Sequence, residues 1–181
     1  MSLLTLIFFS SIISRNMDSA KKMLVIYYSF EGNTRLIAEA VAHEIKADIL
    51  ELKVKNDIKT KGFMKFFWGG KQVVQKKTPE LLPFSKDPAE YDVIFLGTPV
   101  WAYTFAPALR TFFKDIKIKD KKIALFCTHE GSPAKTFENM KKELEGNDII
   151  SESDFADVLK NPRQNSLDAK IWAGNIANLF K

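Results

Sequence analysis

From residue 23 onward the chain alternates between two kinds of apolar pattern. Short unbroken apolar runs read as strands covered on both faces, and longer stretches with an apolar residue every third or fourth position read as helices. Met23–Tyr28 is the first such run. Residues 34–46 follow with Ile37, Val41 and Ile45 on one helical face and Leu36 and Ala40 beside them. Ile49–Leu52 is a brief second strand. Residues 62–76 carry Phe63, Phe66, Phe67, Val73 and Val74, a helical pattern that Gly69-Gly70 interrupts. Val93–Gly97 is the clearest strand, an apolar run stopped by a glycine. Residues 105–116 space Phe105, Leu109, Phe112 and Ile116 helically, with Pro107 in the first turn, where its missing N–H does no harm. Ile123–Cys127 is a fourth strand, residues 134–145 set Phe137, Met140 and Leu144 on one face, and a fifth strand falls within 148–158. The last helix, about 166–180, offers Ile171, Trp172, Ile176, Leu179 and Phe180 as its buried stripe.

Strands and helices in alternation predict an α/β fold, a doubly wound five-stranded parallel sheet with helices on both faces. The chain of 181 residues fits one domain, and its 46% apolar and 27% charged residues are ordinary for a globular protein. Residues 1–16 stand apart. Their apolar run at 3–13 is too short to span a bilayer and has neither a basic flank before it nor a clear cleavage site after it. They are expected to lie outside the fold, with the domain occupying 23–181, and a membrane anchor or export signal is the lesser alternative.

One cysteine, Cys127, rules out an intramolecular disulfide, and His43 and His129 lack ligand spacing, so no structural metal is expected. The single thiol is compatible with a reducing cytoplasm. The net charge of +5 is uneven: residues 53–77 hold eight lysines against one acid, Asp57. Such a segment is either a solvated face or a docking surface for an acidic partner or a phosphorylated ligand. Nucleic acid is not expected, because arginine is almost absent there and no nucleic-acid motif is present.

In a sheet of this kind ligands bind beyond the carboxyl ends of the strands, where the winding reverses. The loop after the first strand reads Ser29-Phe30-Glu31-Gly32-Asn33-Thr34 and leads into a helix. Hydroxyls, an amide and a glycine at a helix N-terminus favour an anion, by about 0.3–1 kcal/mol when exposed. The same residues could serve only as a helix cap. The loop matches neither G-x-x-x-x-G-K nor G-x-G-x-x-G, which argues against ATP and against a dinucleotide held in the Rossmann manner. The loop after the third strand runs from Gly97 to Pro107 and contains Thr98-Pro99-Val100-Trp101-Ala102-Tyr103. Trp101 and Tyr103 can face a flat aromatic ligand, since stacking adds about 0.5–1.5 kcal/mol beyond burial, or can pack within the protein. The loop after the fourth strand, Thr128-His129-Glu130-Gly131-Ser132-Pro133, is small and polar, as any turn would be.

The S-x-E-G-N-T run resembles the FMN phosphate loop of the flavodoxin family, which reads T/S-x-T/E-G-N-T, and the resemblance extends over the chain from about residue 23. It implies a sheet of order 2-1-3-4-5 with FMN at the switch point. It also implies hydroxyls from Ser29 and Thr34 on the phosphate, and backbone N–H groups from Glu31, Gly32, Asn33 and Thr34. Phe30 lies within the same loop. The G-x-P-x-W pattern is similar to the loop beside the isoalloxazine in flavodoxins and flavodoxin-like reductases, which implies that Thr98, Pro99, Val100 and Trp101 line the ring. Thr128, His129, Glu130 and Gly131 would then reach its pyrimidine edge. There His129 either tunes the reduced flavin, with Glu130 pulling the opposite way, or is a solvent-exposed loop residue.

Three departures matter. Residues 128–133 carry no tyrosine or tryptophan to cover the outer ring face, the chain is basic where many flavodoxins are acidic, and it has no room for the insertion of the long-chain type. The resemblance therefore implies an electron-transfer protein acting with a redox partner protein. An NAD(P)H-dependent FMN or quinone oxidoreductase on the same fold is the alternative. A binding module without redox activity is a third class, against which the intact phosphate loop speaks. Monomer and homodimer stay open.

Overall fold

The structure is a computed structural model and describes residues 21–56 and 77–180. The segment 1–16, the helical pattern at 62–76 and most of the lysine-rich run lie outside the described residues. The elements are β1 (Met23–Tyr27), α1 (Asn33–Ile45), β2 (Asp48–Glu51), β3 (Val93–Trp101), β4 (Thr104–Phe105), α2 (Pro107–Asp115), β5 (Lys122–His129), α3 (Thr136–Glu143), β6 (Asp148–Ala156) and α4 (Pro162–Ala177).

The sheet order is β2-β1-β3-β5-β6, every neighbouring pair parallel, with β4 hydrogen-bonded antiparallel to the end of β3. Setting the two-residue β4 aside, this is the expected order 2-1-3-4-5. The unbroken apolar runs follow from the layering. Leu24, Ile26, Ile94, Leu96, Ile123 and Leu125 meet Leu109, Phe112 and Phe113 of α2 and Met140 of α3. Val25, Tyr27, Val93, Phe95, Ala124 and Phe126 face the other way, onto Ile37 and Val41 of α1 and Ala169, Ala173 and Ile176 of α4. A strand with helices on both sides has no polar face to show.

The buried stripe of the last helix differs from expectation in part: Trp172, Ile176 and Phe180 pack inward as expected, and two others do not. Ile171 is 55% and Leu179 71% exposed, while Asn165, Ala169, Ala173, Ile176 and Ala177 are buried. α4 packs alongside α1, whose inward face holds Ala38 and Ala42. Small residues on both helices let the backbones approach, and Leu167 and Ile171 of α4 are turned outward. α4 also begins at Pro162, with the proline again in the first turn.

After β1 the chain builds β2 on one side and then returns to build β3 on the other. The winding reverses between β1 and β3, so a crevice opens at their carboxyl ends. Tyr28 N donates to Gly97 O across that point at 3.2 Å.

Candidate functional site

Loops after β1, β3 and β5 meet at this crevice. In the first, Gly32 adopts φ +98°, a left-handed conformation open to glycine, and caps α1. Ser29 Oγ accepts from Gly32 N and Arg35 N, each at 3.2 Å. Those bonds use the hydroxyl oxygen and leave its proton available. Asn33 and Thr34 open α1, where backbone N–H groups have no intrahelical acceptor. The side chains do other work. Asn33 Oδ1 accepts from Leu159 N at 3.2 Å. Thr34 is fully buried, and its hydroxyl lies 2.8 Å from that of Thr128 at the end of β5. Arg35 donates to Glu51 at the end of β2, and that bond raises the guanidinium pKa further. Glu31 is exposed and lines a cavity of about 320 Å³ with Asn33, Glu130, Asp157, Leu159 and Lys160.

The second loop is a hairpin. β3 continues past Gly97 through Thr98, Pro99 and Val100 to Trp101, and β4 folds back so that Val100 pairs with Phe105 and Trp101 with Thr104. The two connecting residues, Ala102 and Tyr103, have φ +43° and +68°. Positive φ at both positions is the geometry of a two-residue hairpin turn. Thr98 is buried; its Oγ1 accepts from Ala106 N at 3.0 Å and closes the base of the hairpin. Trp101 is partly exposed and meets Tyr28 edge-on at 5.9 Å and Phe30 at 5.6 Å. Phe30 thus ties the first loop to the second. Tyr103 is 78% exposed at the tip.

The third loop leaves β5 at His129. Pro99 and Thr128 are register partners on β3 and β5, so the bases of the two loops lie side by side. Lys135 N donates to Tyr103 O at 3.1 Å, and Asn139 Nδ2 to Thr104 Oγ1 at 2.9 Å. Glu130 and Gly131 are exposed. The His129 side chain is 5% exposed and its Nε2 donates to Asp154 Oδ2 at 2.8 Å, with Nδ1 buried and unpartnered. It is thus not a solvent-exposed loop residue. Burial pushes the neighbouring Cys127 thiol pKa upward, with the carboxylates of Asp154 and Glu152 adding to the shift.

All fifteen sequence-chosen residues therefore fall on the three converging loops or the strand ends beneath them. Tyr28, Asn139 and Leu159 complete the ties between loops and had no signal in the sequence, because each partner is distant along the chain. Chemically, the arrangement offers outward N–H groups and a hydroxyl proton at one end, and an indole held in fixed orientation at the other. Among the described residues no group of three or more His, Cys, Asp or Glu is placed to hold a metal ion, and no helix is long and apolar enough to cross a membrane.

A family profile described as flavodoxin matches residues 22–154. A flavoprotein from Lactobacillus acidophilus NCFM, crystallised in complex with FMN, is 27% identical, with a TM-score of 0.66 over 80% of this chain and 98% of that one. A flavoprotein from Bacteroides eggerthii is 21% identical, with a TM-score of 0.72 over 87% and 98%. A flavodoxin, WrbA-like protein from Agrobacterium tumefaciens is 16% identical, with a TM-score of 0.56 over 89% and 99%, and shares the fold.

Proposed function

The chain belongs to the flavodoxin family, and from that premise we propose that it binds FMN at the carboxyl end of its sheet and serves in electron transfer. The observation that carries this reading is the convergence of three loops on the β1/β3 switch point, with a helix N-terminus at one end and a partly exposed indole at the other. The FMN complex of the Lactobacillus flavoprotein supports the choice of cofactor. Once bound, the flavin ring supplies the chemistry: it takes up and releases electrons.

The residues present fit that group. The N–H groups of Asn33 and Thr34 and the positive end of α1 suit a phosphate. Ser29 keeps a proton to donate, because its oxygen already accepts twice. Arg35 is paired with Glu51, so neutral donors hold the anion. Thr98, Pro99, Val100 and Trp101 form the wall beside the ring, and His129, Glu130 and Gly131 bound its polar edge. Binding should therefore depend on the phosphate. Titration of the apoprotein with FMN and with riboflavin tests this, and equal affinities would remove the phosphate assignment.

The electron donor and acceptor are a redox partner protein in this reading, and the setting is the cytoplasm. One observation favours an NAD(P)H-dependent FMN or quinone oxidoreductase instead. Residues 128–133 bring no tyrosine or tryptophan to the site, which leaves the outer flavin face more open to a second planar molecule. Anaerobic mixing of the FMN form with NADH or NADPH separates the two. Rapid bleaching of the flavin band points to the oxidoreductase. No reaction with pyridine nucleotide, together with reduction by a chemical reductant in two separate one-electron steps, points to the carrier.

A further inference from the structure

We propose that Thr128 is a positioning residue for the phosphate loop, acting through the hydroxyl of Thr34; this rests on the reading that the loop holds the phosphate of FMN. The family resemblance gives Thr34 a hydroxyl contact with that phosphate. The geometry assigns the hydroxyl differently. Thr34 is fully buried by the protein's own atoms, Thr128 is 2% exposed, and their oxygens are 2.8 Å apart across 94 residues of chain. A hydroxyl buried from solvent by the protein itself is not a surface on which an anion can rest. What Thr34 has left for the ligand is its backbone N–H, the second of α1.

The two residues differ in how firmly they are held. Thr128 belongs to β5, which is paired on both sides, with β3 and with β6, and Thr128 itself is in register with Pro99 and Phe155. Thr34 belongs to the first turn of α1, which follows directly on the loop and its left-handed Gly32. The hydroxyl pair therefore seats a less constrained element on a rigid one. Through the pair, the sheet sets how far the N–H groups of Asn33 and Thr34 stand from the strand ends, where the ring binds. Asn33 adds a second tie on the outer side, through Leu159 N, so the first turn is anchored at two points.

An apolar pair of the same shape would satisfy burial equally well. It would not give the same spacing: two methyl groups meet at about 3.5–4.0 Å, against 2.8 Å for the hydroxyls. Stability and spacing can thus be separated by substitution. Thr128→Val alone leaves the Thr34 hydroxyl buried without its partner. Thr34→Val with Thr128→Val removes both polar groups and restores a matched, dry contact at the wrong distance. Thr128→Ser keeps the hydroxyl.

The test measures the affinities of apoprotein variants for FMN and for riboflavin, together with their urea unfolding. Thr128→Val is expected to weaken FMN about tenfold or more while riboflavin binding stays within about twofold. The double variant is expected to regain the unfolding midpoint but not the preference for FMN, and Thr128→Ser to retain both. A double variant with wild-type preference would make the pair ordinary core packing and overturn the proposal. So would a Thr128→Val variant whose ratio of affinities is unchanged. A wild-type protein that does not prefer FMN to riboflavin would overturn the phosphate reading and the positioning role with it. If the wild type prefers FMN and the variants do too, only the positioning role fails.

Discussion

Trp101 is pinned by two edge-to-face contacts, with Tyr28 below it and Phe30 beside it, yet remains partly exposed at the crevice. An indole fixed in this way needs little reordering when a flat ring arrives. Trp172, in contrast, packs against Phe95, Phe126 and Phe155 on the opposite face of the sheet. Tryptophan fluorescence should therefore fall strongly when FMN binds, and Trp101→Phe should remove most of that quenching. Quenching that survives the substitution would place the ring elsewhere. The place of this residue beside the crevice was legible because Thr98-Pro99-Val100-Trp101 is a local pattern at a strand end. The hydrogen-bond partners of Thr34 and His129 were not. Their hydroxyl and imidazole are taken up by Thr128 and Asp154, and Thr34's partner is nearly a hundred residues away in sequence. A motif reports which residues stand together along the chain, not which buried group answers them from another strand.

Among the elements, the strands and helices were readable wherever burial on both faces or on one stripe dictated the pattern. The β3–β4 hairpin was not, because its turn residues are Ala102 and Tyr103 rather than the asparagine and glycine that usually mark positive φ. That choice has a measurable cost. Tyr103 holds φ +68° while its side chain is 78% exposed, so the ring returns little packing for the strain. A residue in this region costs about 1–3 kcal/mol, and glycine's greater freedom when unfolded takes back about 0.4–1 kcal/mol. Tyr103→Gly should thus raise the denaturation midpoint of the apoprotein, and a fall would mean that the ring packs after all. Gly97, earlier on β3, argues the reverse. A β-carbon there would stand 2.0 Å from the Phe126 ring, its register partner on β5. The ring is fully buried and cannot swing clear. Overpacking of this kind costs about 1–3 kcal/mol, so Gly97→Ala should lower stability by that amount in urea unfolding, and an unchanged midpoint would show that β5 yields. The same reasoning explains the misjudged stripe of α4. Apolar size suggested Ile171 and Leu179, whereas close helix packing selected alanines.

At the scale of the molecule, the question is how much of the chain the fold requires. Among the described residues, the strands of the sheet lie between Met23 and Ala156, and the two apolar layers are built from residues from Met23 onward. Lys21 and Lys22, the first of the described residues, line a cavity of about 800 Å³ at the amino end of the sheet. Its other walls include Glu44, Lys46, Asp48, Glu90 and Tyr91 as well as Met23, Ile45 and Phe180. The charged groups there already have work to do. Tyr91 donates to Asp48 at 2.6 Å, and Lys86 pairs with the same carboxylate at 2.9 Å. The hydrogen bonds from Tyr91 and Lys86 hold the Asp48 pKa below its usual value. The sheet and both layers can thus be assembled from the described residues, and the domain should not depend on residues 1–16. A chain beginning at Met17 should fold, bind FMN with unchanged affinity and unfold within about 0.5 kcal/mol of the full chain, the range expected where no packed group is lost. Circular dichroism and flavin titration on the two proteins side by side decide it. Loss of solubility or of flavin binding on truncation would assign residues 1–16 to the packed structure.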